Sequence, residues 1–125
     1  MQIFSIASQR AQWLGARLGV IAGNVANAST PGYKAREITS FSAVLEKRQV
    51  QMARTHAAHL NMAGEAQRAR FDVHEARSGR MTHSGNTVSL EKEMMEGAAT
   101  VRDFRLNTGV VRAWHRMFLL SLKDN

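Results

Sequence analysis

Two stretches at opposite ends of the 125-residue chain repeat apolar residues at alternating spacings of three and four. A chain so patterned buries those residues only as long helices packed against other helices. In residues 3–28 the repeat runs through Phe4, Ala7, Ala11, Leu14, Leu18, Ile21, Val25 and Ala28. Arg10 and Arg17 are the only charges there. Gly15, Gly19 and Gly23 recur four apart on another face. Each weakens an isolated helix by about 1 kcal/mol relative to alanine, so packing rather than propensity must hold this one. Small residues at that spacing also let a second helix approach closely. In residues 88–122 the repeat runs through Leu90, Met94, Gly97, Val101, Phe104, Thr108, Val111, His115, Phe118 and Leu122. Ser89 stands as an N-cap, Glu91, Glu93 and Glu96 crowd the first turns, and Arg112, Arg116 and Lys123 the last, an order that complements the helix dipole. The pattern predicts one helix of roughly 35 residues, about 50 Å long at 1.5 Å per residue. A filament or coiled-coil assembly needs a helix of that length; a small globular domain does not.

The first seam runs into Asn24-Val25-Ala26-Asn27-Ala28-Ser29-Thr30-Pro31-Gly32-Tyr33-Lys34-Ala35-Arg36, which holds the only proline of the chain. Proline disfavours helical geometry in Thr30, so the helix is expected to stop near Ala28 or Ser29. Proline at the second position of a turn and glycine at the third predict a type II reversal over Thr30–Tyr33. Asn24 and Asn27 lie one helical turn apart on a shared face. Their amides are placed to bond either a neighbouring chain or the backbone leaving the turn.

The middle is less patterned. Ser40 is positioned to cap a short helix through about Ala53, with Phe41, Val44, Leu45, Arg48 and Met52 on one side. Residues 54–86 show no sustained period, and Gly64, Gly79 and Gly85 punctuate them. Residues 77–86 read as a surface loop, or as a segment that a partner orders, with Phe71 and Val73 as one short extended anchor. The expected fold is mainly α, with two long terminal helices forming coiled-coil-like seams. The expected segments are an N-terminal helix over 1–28, a turn and extended link over 29–40, a short helix and polar flexible middle over 41–87, and a C-terminal helix over 88–125.

Composition narrows the function classes. The net charge is +7, which invites a basic helical nucleic-acid-binding module as a rival reading. The basic residues are scattered, however, with Lys47-Arg48 the only adjacent pair and no dense basic stripe with interleaved aromatics. Diffuse charge of this kind fits solubility or packing against an acidic neighbour. There is no cysteine, hence no disulfide scaffold and no thiolate zinc site. No run of about 18 apolar residues marks a membrane span. Met1-Gln2-Ile3-Phe4 lacks the basic start of a secretory leader, so any export is expected to proceed without leader cleavage. His56 and His59 share a helical spacing, but no further donor stands at a matching distance, and His74, His83 and His115 are isolated. No nucleophile motif or phosphate loop appears, so a small enzyme finds no support. Trp13 and Trp114 sit beside the two seams as expected packing anchors.

The stretch from Asn24 to Lys34 resembles N-[I/V]-A-N-x-x-T-P-G-Y-K, the signature of bacterial flagellar axial proteins: rod, hook and hook-associated subunits. Three further stretches are similar to the short proximal rod proteins of that family. They are Lys34-Ala35-Arg36-Glu37, the segment from Thr55 to His59-Leu60, and Gly85-Asn86-Thr87-Val88-Ser89-Leu90-Glu91-Lys92-Glu93-Met94, which opens the family's C-terminal helix. A different axial protein such as FlgC is the nearest alternative, but its V-N-x-x-x-E-M and A-S-R-x-Y-x-x-N patterns are absent. Ser29 and Ser89 stand where the family usually has Asp, and the last twenty residues depart from it.

The resemblance implies a structural subunit of the basal-body proximal rod, the drive shaft for motility, with no enzymatic activity, cofactor or metal. It implies export through the flagellar type III apparatus to the periplasmic space. Implied partners are other copies of the chain, FlgC, FlgF, the rod-base adaptor FliE, the membrane-ring protein and the export gate, with no nucleic acid and no membrane span. Asn24, Asn27, Thr30, Pro31, Gly32, Tyr33 and Lys34 would set the exit angle of the chain after the first helix. Phe4, Leu14, Leu18, Ile21 and Val25, with Leu90, Met94, Val101, Phe104, Val111, Phe118 and Leu122, would bury between subunits. Folding would then be coupled to assembly, with termini largely disordered in the free chain.

Overall fold

The computed structural model describes residues 2–49, 71–77 and 81–123. It is mainly helical, as the patterning predicts. The elements are α1 (Gln2–Ala26), β1 (Arg36–Ile38), α2 (Phe41–Gln49), β2 (Val73–Glu75) and α3 (Leu90–Lys123). β1 and β2 form a two-stranded antiparallel ribbon with Arg36 opposite Glu75 and Ile38 opposite Val73. Backbone bonds from Thr39 to Asp72 (2.9 Å) and from Ala76 to Ala35 (2.8 Å) extend the ladder at both ends. The expected anchor at Phe71 and Val73 is thus a strand edge. Lys47 of α2 reaches Asp72 at 2.9 Å and holds that carboxyl below its usual range. The predicted continuation of α2 to Ala53, and the His56/His59 pair, lie outside the described residues.

α1 and α3 pack as an antiparallel hairpin. Asn107 donates to the Ala7 carbonyl (3.0 Å) near the start of α1. Farther along, Arg17 bridges Glu96 (3.7 Å), and Gly97 lies against Ile21, where an added Cβ would sit 3.6 Å from the isoleucine. Ala7, Leu14 and Ile21, seven apart, are buried, together with Trp13 and Asn24. On α3 the buried residues are Glu93 and Thr100, also seven apart, and Asn107 follows half-buried at the next heptad.

The buried side chains of α3 are therefore polar. They stand one residue before the seam positions Met94, Val101 and Thr108, so the inward face lies to one side of the predicted apolar seam and shares only its Gly97 edge. Thr100 tolerates burial because its hydroxyl donates to the Glu96 carbonyl at 2.7 Å. Of the predicted seam residues, Leu14 and Ile21 are buried, and Phe4 and Val111 are half-buried. Leu18, Val25, Leu90, Met94, Val101, Phe104, Phe118 and Leu122 are exposed in the single chain. Among the described residues, nothing lies within 4 Å of where a Cβ would stand on Gly15, Gly19 or Gly23.

Trp13 joins α2 to α1. Its indole N–H donates to the Thr39 carbonyl (2.8 Å), and its ring meets Phe41 at 5.9 Å. Arg17 lies over the Trp13 ring at 5.4 Å, and Arg10 over Phe41 at 6.0 Å. Trp114, expected to be an equivalent anchor, is exposed instead. Every residue of α3 from Arg112 to Lys123 is exposed. No described helix is long and apolar enough to cross a membrane.

Candidate assembly site at the signature turn

α1 ends at Ala26, earlier than the proline rule alone predicts. Its last turn tightens first. Asn27 N–H is shared between the carbonyls of Gly23 (3.2 Å) and Asn24 (3.1 Å), and Ala28 bonds Val25 at 3.2 Å. Thr30–Tyr33 then forms the predicted reversal. Tyr33 N–H bonds the Thr30 carbonyl at 3.3 Å, and Gly32 has φ +74, the positive angle that the third position of a type II turn requires.

Both asparagines serve the backbone of their own chain. Asn24, 1% exposed, donates to the Arg36 carbonyl (2.9 Å) and accepts from Arg36 N–H (2.9 Å). Its amide thus pins the first residue of β1 as a neighbouring strand would. Asn27 donates to the Gly23 carbonyl (2.9 Å) and accepts from the Thr30 hydroxyl (3.2 Å). Pro31 is exposed and Lys34 half-buried.

The other half of the site comes from residues 81–88, most of which fall in the 77–86 stretch expected to be a surface loop or a segment that a partner orders. They are docked on the turn. Asn86, 2% exposed, directs its amide NH₂ at the carbonyls of Asn27 (2.9 Å), Ala28 (3.1 Å) and Thr30 (2.7 Å). It thereby satisfies carbonyls that the end of α1 leaves without helical partners. Its carbonyl oxygen accepts from Val88 N–H at 2.7 Å, just before α3 begins. Gly32 N–H bonds Ser84, Thr87 N–H bonds the Tyr33 carbonyl, and the Thr87 hydroxyl accepts from Ala35 N–H at 2.8 Å. Gly85, with φ +81, lies against Gly32, whose Cα would be 3.5 Å from an added Cβ. One asparagine therefore couples the exit of α1 to the entry of α3.

The third element is Glu93, expected to act at the helix N-terminus and found instead 4% exposed beneath the joint. Burial pushes its carboxyl pKa up, and the Asn24 side chain beside it works the other way. Among the described residues its Oε2 has no hydrogen-bond partner. Around it, Lys92 bonds Glu37 (3.2 Å), which raises the lysine pKa, and reaches Glu96 at 3.7 Å.

Sequence reasoning found Asn24, Asn27 and the Pro-Gly turn but missed Asn86, Thr87 and Glu93 as parts of one site. A polar loop carries no period, and only the Gly85–Val88 similarity signalled it. The chemistry of the arrangement is directional hydrogen bonding, which sets the angle between two long helices.

The family model described as flagella basal body rod protein matches residues 5–34, which cover nearly all of α1 and the turn. The flagellar basal body rod protein FlgB of Agrobacterium fabrum (strain C58 / ATCC 33970) is 39% identical over 127 residues, an alignment covering 98% of this chain and 94% of that protein. The likeness spans both terminal helices and both halves of the joint, and the chain belongs to the FlgB family of flagellar basal-body rod proteins.

Proposed function

We propose that this chain is a structural subunit of the proximal part of the flagellar rod, held at its signature joint and assembled through the faces its terminal helices leave open. The observation that carries the reading is the pairing of a joint whose two buried asparagines are bonded within the chain with apolar helix faces that are left exposed. Asn86 and Asn24 close the joint, while Leu18, Val25, Phe104, Phe118 and Leu122 stay exposed. Faces of that size are buried in an assembly. Other copies of the chain, FlgC, FlgF and FliE are the neighbours this reading supplies, with the membrane ring and export gate at the base. The chain reaches them across the inner membrane through the flagellar export apparatus. The role requires no catalysis.

Deletion of the gene, with a plasmid copy as control, tests the reading by electron microscopy of cells and basal bodies. Loss of rod, hook and filament, restored by the plasmid, is the expected result; normal flagella would refute it. Pro31→Ala and Gly32→Val are expected to reduce rod assembly more than export of the subunit. Full motility in both variants would remove the turn from the mechanism. Circular dichroism of the free chain is expected to show less helix than the assembled form; a fully helical monomer would rule out coupled folding.

A further inference from the structure

α3 runs on past the start of α1. Asn107 bonds the Ala7 carbonyl there, and every residue from Arg112 to Lys123 is exposed. So short a terminal stretch is marginal as a helix in water unless something packs on it. At about 100° per residue, an apolar arc runs from Leu120 through Met117, Trp114 and Phe118 to Leu122 and spans about 200° of the helix. All five side chains are exposed. Within residues 110–123 the only polar member of the arc is Ser121, whose hydroxyl donates to the Phe118 carbonyl at 2.8 Å. Arg105, Arg112, Arg116 and Lys123 fall within about 40° of one another outside the arc and form a stripe about 27 Å long. All four are exposed, and no acid lies between Phe104 and Lys123. A helix packed on one core presents an apolar stripe of about 100°. An arc twice as wide, beside a narrow cationic stripe, fits a helix lying in the plane of a bilayer interface. There the apolar residues enter the acyl boundary, tryptophan sits at headgroup level, and Arg and Lys extend their stems to bring charge to the phosphates. No described helix is long and apolar enough to span the bilayer.

We propose that the free chain docks residues 110–123 of α3 in plane on the surface of an anionic bilayer. Lipid phosphates supply the negative charge that this segment does not contain, and the acyl boundary takes up the apolar arc. A second copy brings the same cationic stripe and covers only part of the arc. A nucleic acid matches the stripe but leaves the arc in water. The docking precedes assembly, because the rod-subunit reading gives Phe118 and Leu122 to neighbouring subunits and the two contacts exclude each other. It stands apart from that reading and is tested on the chain alone.

The test is cosedimentation of the purified full chain with vesicles of phosphatidylcholine, alone or with about 30% phosphatidylglycerol. Binding to the anionic vesicles is expected, with a gain of helix by circular dichroism. Affinity is expected to be at least about tenfold lower on neutral vesicles or in high salt. Arg112→Glu with Arg116→Glu is expected to lower it by at least about tenfold, while Arg112→Lys with Arg116→Lys stays within about threefold of wild type. Arg77→Glu with Arg102→Glu makes the same change of net charge at exposed positions off the stripe, and is also expected to stay within about threefold. Trp114 emission, taken as the difference between wild type and Trp114→Phe, is expected to shift to the blue on the anionic vesicles. No binding, equal binding to neutral vesicles, or an unshifted Trp114 would overturn the proposal. So would equal losses in the two charge-reversed variants, which would assign the binding to diffuse charge. A chain that self-associates and stays with its own copies when vesicles are added would give the face to a second copy and overturn it as well.

Discussion

The two halves of α3 obey opposite rules. The near half begins at the Asn86 joint, buries Glu93 and Thr100 against α1, and is bound to the rest of the chain by directed polar contacts. The far half carries Trp114, Met117, Phe118, Leu119, Leu120 and Leu122, all exposed. Polar residues lie inside where apolar ones are expected, and apolar residues lie outside. In the single chain, directed polar contacts hold the joint while the hydrophobic surface of the far half is left exposed, a surface that the proposed function assigns to neighbours.

Breaking the joint is expected to have the largest effect. Asn86→Ala removes the donor to three carbonyls and the acceptor for Val88 N–H, and is expected to cost the purified chain about 3 kcal/mol in chemical unfolding. A loss below about 1 kcal/mol would mean that water replaces the amide and that the joint is not the centre of stability. Next is Gly32→Val, which forces a β-branched residue to φ +74 and is expected to cost about 2 kcal/mol by the same measurement. Gly32→Asn, which tolerates that angle better, is expected to lose less than half as much.

Glu93→Gln is expected to stabilise the chain at neutral pH by about 1 kcal/mol, since it removes a buried charge while keeping a polar side chain. The sign follows from linkage. Burial raises the folded-state pKa of Glu93 above its ordinary 4.5, so its contribution is fully present below that value and is lost as pH rises through the folded pKa. Wild-type stability relative to the glutamine variant should therefore fall as pH increases above 4.5. A difference between the two proteins that does not change with pH would contradict burial of an ionisable Glu93. The smallest effect on the free chain belongs to the far half of α3. Phe118→Ala is expected to shift unfolding by no more than about 0.5 kcal/mol, yet to reduce rod assembly in cells. A large loss in the free chain would show that the far half packs intramolecularly and would erase the contrast.

Local features were legible in the sequence. The type II turn followed from Pro31 and Gly32, because backbone sterics act over two residues. The long helices followed from periodicity, and the Glu91-to-Lys123 charge order agreed with the extent of α3. The inward phase of each helix was not legible. A heptad pattern names the apolar stripe, but the stripe that turns inward depends on what the rest of the chain offers. Here α1 offers Leu14, Ile21 and Asn24, and α3 answers with Thr100 and Glu93. The link from Asn86 to the carbonyls of residues 27, 28 and 30 spans 56 to 59 positions, and no local rule pairs an asparagine with backbone so distant. The basic stripe was equally hidden, because charges seven, eleven and eighteen residues apart align only on a continuous helix.

By itself the sequence determined the helices, the reversal at Pro31-Gly32 and membership of the rod family, since propensity, sterics and motif are carried by residues close together in the chain. The tertiary structure decided which faces are buried, which asparagine closes the joint and which carboxyl oxygen is left without a hydrogen-bond partner among the described residues. Those outcomes depend on directional hydrogen bonds and desolvation between segments that meet only when the chain folds.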